Sequence, residues 1–110
     1  MAAKFVMTKS SNGKFFFSLK AENGERILTS EGYESKQSAV VGTESVKSSA
    51  VQDDRYERKE SGSGESYFVL KAENGEPIAR SEMYSSTSAM ESGIDSAKKN
   101  AASAAIDDQS

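Results

Sequence analysis

Leu19-Lys20-Ala21-Glu22-Asn23-Gly24-Glu25 returns letter for letter as Leu70-Lys71-Ala72-Glu73-Asn74-Gly75-Glu76, an offset of 51 residues. Held at that offset, the match extends through Ile27 and Ile78, Ser30-Glu31 and Ser81-Glu82, Tyr33 and Tyr84, Gly42 and Gly93, Ser45 and Ser96, and Lys47 and Lys98. Upstream it pairs Phe5 with Tyr56, Gly13 with Gly64 and Phe17 with Phe68. The chain is therefore a tandem duplication, with repeats near 3–51 and 54–102. A copy of ~50 residues buries too little apolar surface to be stable alone, so the two halves are expected to share one core as one domain over 1–110.

Within each copy the hydrophobic period changes once. Apolar-rich runs flank Ser10-Ser11-Asn12-Gly13, and others flank Asn23-Gly24. Asn-Gly between such runs signals a hairpin, and a two-residue type I′ turn is the natural reading. From Ser35 the spacing becomes helical, with Ala39, Thr43, Val46 and Ala50 matched by Met90, Ile94, Ala97 and Ala101. Ser35 and Ser86 precede these runs as N-caps. Gly42 and Gly93 each cost a helix interior about 1 kcal/mol relative to Ala, so their presence in both copies predicts a helix backbone lying close to the sheet.

The expected fold is α+β: two β-β-β-α repeats, six strands in a single antiparallel sheet, two helices on one face, and a pseudo-two-fold axis. Gln52-Asp53-Asp54 is too short to link independent domains. Ser61-Gly62-Ser63-Gly64 reads as a looser link than the Asn-Gly turn. Pro77 cannot donate to a ladder and should open a strand or mark an edge. Residues 103–110 offer little to bury and are expected to fray.

Tyr67-Phe68-Val69-Leu70-Lys71-Ala72-Glu73-Asn74-Gly75-Glu76, then Ile78, Ser81 and Tyr84, then Gly93-Ile94-Asp95-Ser96-Ala97 and Asn100-Ala101, resemble the YegP-like family of small bacterial and archaeal proteins. The resemblance covers residues 3–102. It implies two modules contributing strands to one antiparallel sheet, with end strands exchanged and both helices packed on it. Single-copy members would pair two chains where this chain pairs two repeats, which implies a monomer. The first copy departs from the motif at Phe16-Phe17-Ser18 and Thr43. The family carries no assigned reaction, cofactor or catalytic residue to transfer.

Composition narrows the chemistry. The chain has no Cys and no His, hence no thiolate, no imidazole base and no disulfide, and it lacks the ligands zinc prefers. No metal site or cofactor is expected, since Asp53-Asp54 and Asp107-Asp108 lack the spacing of a calcium loop and no phosphate-binding glycine motif occurs. With a net charge of −3 and no long apolar run, a cytoplasmic protein without membrane contact is expected. Lys20, Glu22, Asn23 and Glu25 contain groups capable of acid–base work, but a turn explains Asn23, Gly24, Asn74 and Gly75 without a ligand, and catalysis is disfavoured.

Strand alternation assigns the faces. Phe17, Leu19 and Ala21, with Phe68, Leu70 and Ala72, should meet the helices, joined by Phe5, Ile27, Tyr56 and Ile78. The opposite face then displays Phe16, Ser18 and Lys20 beside Tyr67, Val69 and Lys71, with Lys4, Arg55 and Lys59 nearby and Glu57 diluting the positive charge. Phe16, Lys20, Tyr67 and Lys71 are the candidate binding residues. The expected role is non-catalytic binding of a protein or small ligand. Single-stranded nucleic acid stacking on the aromatics is the alternative, disfavoured by the acidic pI near 5.0. The bland reading of Phe16 and Tyr67 is that they pack on each other across strands.

Overall fold

The computed structural model describes residues 3–110. The first repeat supplies β1 (Lys4–Lys9), β2 (Phe15–Lys20), β3 (Arg26–Ser30) and α1 (Lys36–Ala50). The second supplies β4 (Tyr56–Glu60), β5 (Ser66–Lys71), β6 (Pro77–Ser81) and α2 (Thr87–Asn100), followed by β7 (Ala105–Asp108). All seven strands join one sheet in the order β4-β5-β6-β3-β2-β1-β7. The repeats meet at β3 and β6, where Thr29 lies opposite Arg80, its own counterpart 51 residues on. A pseudo-two-fold axis passes through that pair.

The sheet corrects the six-stranded, wholly antiparallel expectation. β7 runs parallel to β1, with Lys4, Phe5, Val6 and Met7 opposite Ala105, Ile106, Asp107 and Asp108. The frayed-tail expectation fails for a reason hydropathy does not register. β1 would otherwise present an unpaired edge, and a polar segment can satisfy its backbone groups without burying large side chains. Gln109 N–H donates to Met7 O at 2.8 Å, and Ala104 is buried at the approach. Asp107 and Asp108 pair with Lys4 (3.3 Å) and Lys36 (2.9 Å).

Both helices begin as their sequences dictate. Ser35 Oγ accepts from Ser38 N–H and Ser86 Oγ from Ala89 N–H, each at 3.1 Å. Such caps satisfy amides that a helix start leaves without partners. All eight positions of the helical period, Ala39 to Ala50 and Met90 to Ala101, are buried. Six of them, Val46, Ala50, Met90, Ile94, Ala97 and Ala101, close with Phe5, Phe17, Leu19, Tyr56, Phe68 and Leu70 into one core. Tyr56 donates its hydroxyl to Ala50 O at 2.7 Å and so ties the end of α1 to the start of β4.

Register shifts between Leu19 and Lys20, and between Leu70 and Lys71, bulge the hairpins. The extra residue lets Ile27 and Leu28 both turn inward, as Ile78 and Ala79 do, where strict alternation would send one of each pair to the other face. Gly42 and Gly93 do mark close approaches, but to tyrosine rings rather than to strand backbone. A Cβ on Gly42 would sit 2.7 Å from Tyr33 Cζ and 3.0 Å from Phe17 Cε2, and one on Gly93 would sit 2.7 Å from Tyr84 Cζ. Tyr33 and Tyr84 are placed there by bridges to Phe15 and Ser66 that prolong the strand pairing.

Candidate functional site

The helices lie on one side of the sheet, and the strand positions that point the other way form an uncovered face. Its central row is read directly from the register: Asp107, Val6, Ser18, Thr29, Arg80, Val69 and Glu57, one from each strand. Phe16, Lys20, Tyr67 and Lys71 flank this row and are all half-buried. Lys4 and Lys59 are placed as expected, but Arg55 is not. It lies in a short 3-10 turn, Asp53–Arg55, on the helix side of the sheet.

Phe16 and Tyr67 are not brought together. β3 and β6 separate their strands, and the rings occupy diagonally opposite corners, which standard strand spacings place ~20 Å apart. Cross-strand packing between them is therefore corrected. Phe16 instead lies over Gly32, whose added Cβ would meet its Cζ at 3.1 Å. Lys20 shares an end of the sheet with Tyr67, and Lys71 shares the other with Phe16.

Charge on the face is unevenly neutralised. Lys71 Nζ lies 2.9 Å from Glu57 Oε1, and that hydrogen bond is the main reason the Glu57 carboxyl is held below its ordinary range. Lys59 approaches the same carboxylate at 3.7 Å, and Lys4 is paired with Asp107. Among the described residues Lys20 and Arg80 have no carboxylate within 4 Å. Arg80, Thr29 and Val6 were missed in the sequence. Alternation would have found Arg80 only with the bulge known, because the extra residue at Ile78 reverses the phase along β6.

The Asn-Gly turns are real, but they are not type I′. Gly24 and Gly75 have φ of +86° and +85°, while among the described residues no other residue type takes positive φ. Gly24 N–H donates to Ala21 O, and Ala21 N–H to Glu25 O, both at 2.9 Å. This is a type I turn closed by a left-handed glycine, the three-residue hairpin loop. Asn23 and Asn74 serve as acceptors, taking Glu25 N–H and Glu76 N–H at 3.0 Å. Ser61-Gly62-Ser63-Gly64 forms the same tight loop, with Gly64 N–H on Ser61 O at 3.0 Å, so the looser link is also corrected.

Each Asn-Gly turn sits against the helix of the other repeat. Ala72, Glu73 and Asn74 face Ser45, Ser48, Ser49, Gln52 and Arg55 across a groove of about 710 Å³. Ala21, Glu22 and Asn23 face Ser92, Asp95, Ser96, Lys99 and Asn100 across one of about 440 Å³. The duplicated letters thus lie where one half clasps the other. Burial pushes the Tyr33 and Tyr84 hydroxyls above the ordinary tyrosine value, with Glu31 and Glu82 adding to it. Lys20 and Lys71 line neither groove.

Among the described residues no group of three His, Cys, Asp or Glu side chains is arranged to hold a metal ion. No helix among them is long and apolar enough to cross a membrane.

The model of the Domain of unknown function (DUF1508) matches residues 10–57 and 61–108, which reproduces the 51-residue period. The chain is 48% identical over 108 residues to the UPF0339 protein YegP of Escherichia coli, covering 98% of each, and 44% identical over 110 residues to a UPF0339 protein of Pseudomonas aeruginosa, covering both completely. The solution structure of the E. coli protein of unknown function superposes with a TM-score of 0.93, at 48% identity, covering 99% of this chain and 94% of that one. That of a UPF0339 protein from Shewanella oneidensis gives 0.92 at 44% identity, covering 98% and 92%.

Proposed function

This chain belongs to the DUF1508 family of YegP-like proteins, whose matched members bring no assigned activity, and on that premise we propose that it is a non-catalytic binding module whose uncovered sheet face docks an acidic protein surface. The observation that carries the reading is the pair Lys20 and Arg80. They are cations without a carboxylate within 4 Å among the described residues, on the uncovered face of a chain whose net charge is −3. Unpaired cations on an acidic protein select partners by complementarity rather than by bulk attraction. Val69 and the half-buried rings of Phe16 and Tyr67 supply the apolar contact that such a docking surface requires.

Strand addition at an edge is the weaker route. β4 carries Glu57, Arg58, Lys59 and Glu60 along its length, and β7 is four residues long with two aspartates, both devices that discourage pairing with another strand. Single-stranded nucleic acid is also less well served, because stacking rings ~20 Å apart cannot hold successive bases. In this reading the protein acts as a single chain, each repeat filling the place a second copy would take.

The test compares capture from a native lysate by the wild type, Lys20→Glu/Arg80→Glu, and Lys47→Glu, a half-buried position of α1 on the helix side of the sheet. The expected result is a species retained by the wild type and by Lys47→Glu but held at least tenfold less by the double reversal, which should melt as the wild type does. Identical captured sets on all three proteins would overturn the proposal. Steeply salt-dependent binding of mixed-sequence single-stranded RNA would replace it with the nucleic-acid reading.

A further inference from the structure

Arg55 is an anomaly in its surroundings. Only 18% of its side chain is exposed, yet its one carboxylate within 4 Å among the described residues is Asp54, at 3.9 Å and itself 85% exposed. The guanidinium is held by neutral acceptors, Ser49 Oγ at 3.2 Å and Gln52 Oε1 at 3.4 Å. Arg58, three residues on, shows the usual arrangement, with Glu91 at 2.6 Å and Asp53 at 3.1 Å. A largely desolvated cation is ordinarily paired, and a guanidinium with spare N–H donors suits a carboxylate.

That guanidinium borders the open, mostly polar groove of about 710 Å³ between the end of α1 and the β5–β6 turn. The far wall, supplied by the other repeat, carries the exposed carboxylate of Glu73 and the amide of Asn74. Ser45 and Ser48 add hydroxyls between them. Glu73 lies beyond ion-pair distance of Arg55, so the two opposite charges face one space without meeting.

We propose that this groove binds a small molecule bearing a carboxylate beside an ammonium, of amino-acid size, with Arg55 taking the carboxylate and Glu73 the ammonium. The twin groove provides an internal control. At the 51-residue offset, Arg55 corresponds to Ile106 and Ser49 to Asn100, while the turn residues are unchanged. The second groove presents Asp95 and Lys99 instead and lacks the isolated guanidinium. This site is on the helix side of the sheet, so it stands independently of the docking face.

The experiment follows amide chemical shifts of the full chain at constant ionic strength, with a mixture of the common amino acids and, separately, sodium acetate. Saturable shifts are expected at 45–52 and 72–74, and not at 95–100. Arg55→Met should weaken both probes at least tenfold. Glu73→Gln should weaken the amino acids at least fivefold and leave acetate within twofold. Ser48→Leu, which narrows the groove from an exposed position, should reproduce the loss if Arg55→Met melts early. Lys99→Met should change nothing. Absence of saturable shifts, equal shifts in both grooves, or shifts indifferent to Arg55→Met and Ser48→Leu would each overturn the proposal, leaving Arg55 as a cation placed against the carboxyl end of α1.

Discussion

At the residue scale, what the two halves share is mostly what lets side chains touch. Gly42 and Gly93 were legible as close approaches because glycine inside a helix is costly, but the tyrosine ring as the neighbour was not, since Tyr33 and Tyr84 sit outside any strand pattern. Gly42→Ala should therefore lower stability by about 2 kcal/mol in denaturant melts, the overpacking outweighing the gain in helix propensity. Combining it with Tyr33→Ala, which empties the space the methyl needs, should show strong coupling between the two sites. Ser30 and Ser81 were visible as repeated letters without a reason. Their buried hydroxyls accept from Phe17 N–H and Phe68 N–H at 2.9 Å and donate to the next carbonyl, replacing ladder bonds where the strands diverge. Ser30→Ala leaves a buried amide without an acceptor and should cost about 1–3 kcal/mol by the same measurement.

At the element scale, the helices, their caps and the hairpins were readable because each depends on local spacing and a few residue types. Two things were not. The bulges belong to the pairing rather than to either strand, so the inward turn of Leu28 and Ala79, and with it the outward turn of Arg80, had no sequence mark. β7 was missed because Ala105-Ile106-Asp107-Asp108 has no alternation of its own and takes its conformation from the edge it covers. Of the candidate face, Phe16, Lys20, Tyr67 and Lys71 were placed correctly by alternation, whereas their mutual distances required the strand order. Ending the chain at Ala104 should lower the melting temperature and speed amide exchange along β1. It should also promote self-association, since an uncovered edge is a template for pairing.

For the whole molecule, each half completes the other twice, through the β3–β6 ladder and through turns seated on the opposite helix. That unity should be visible at alkaline pH. Burial pushes the Tyr56 hydroxyl well above 10.0, and Tyr33 and Tyr84 move in the same direction. An acid whose folded-state value is raised keeps its proton in the folded state while the unfolded chain releases it. The stability these hydroxyls contribute is thus present below pH ~10 and lost as pH rises beyond it. Denaturant midpoints should stay level through neutrality and then fall, with Tyr56→Phe falling less steeply. The carboxylates act at the other end. The hydrogen bond from Lys36 depresses Asp108, followed by those from Ser110, so its contribution is present above the ordinary carboxylate range and disappears in acid.

The parallel pairing of the first and last strands also decides how the molecule meets a stretching force. Pulled from its two ends, β1 and β7 are drawn past one another lengthwise, and their hydrogen bonds, together with the Lys4–Asp107 contact, are strained simultaneously rather than peeled apart singly. In single-molecule extension the intact chain should therefore rupture at a distinctly higher force than one lacking residues 105–110. The short acidic terminus would then act as a latch against tension.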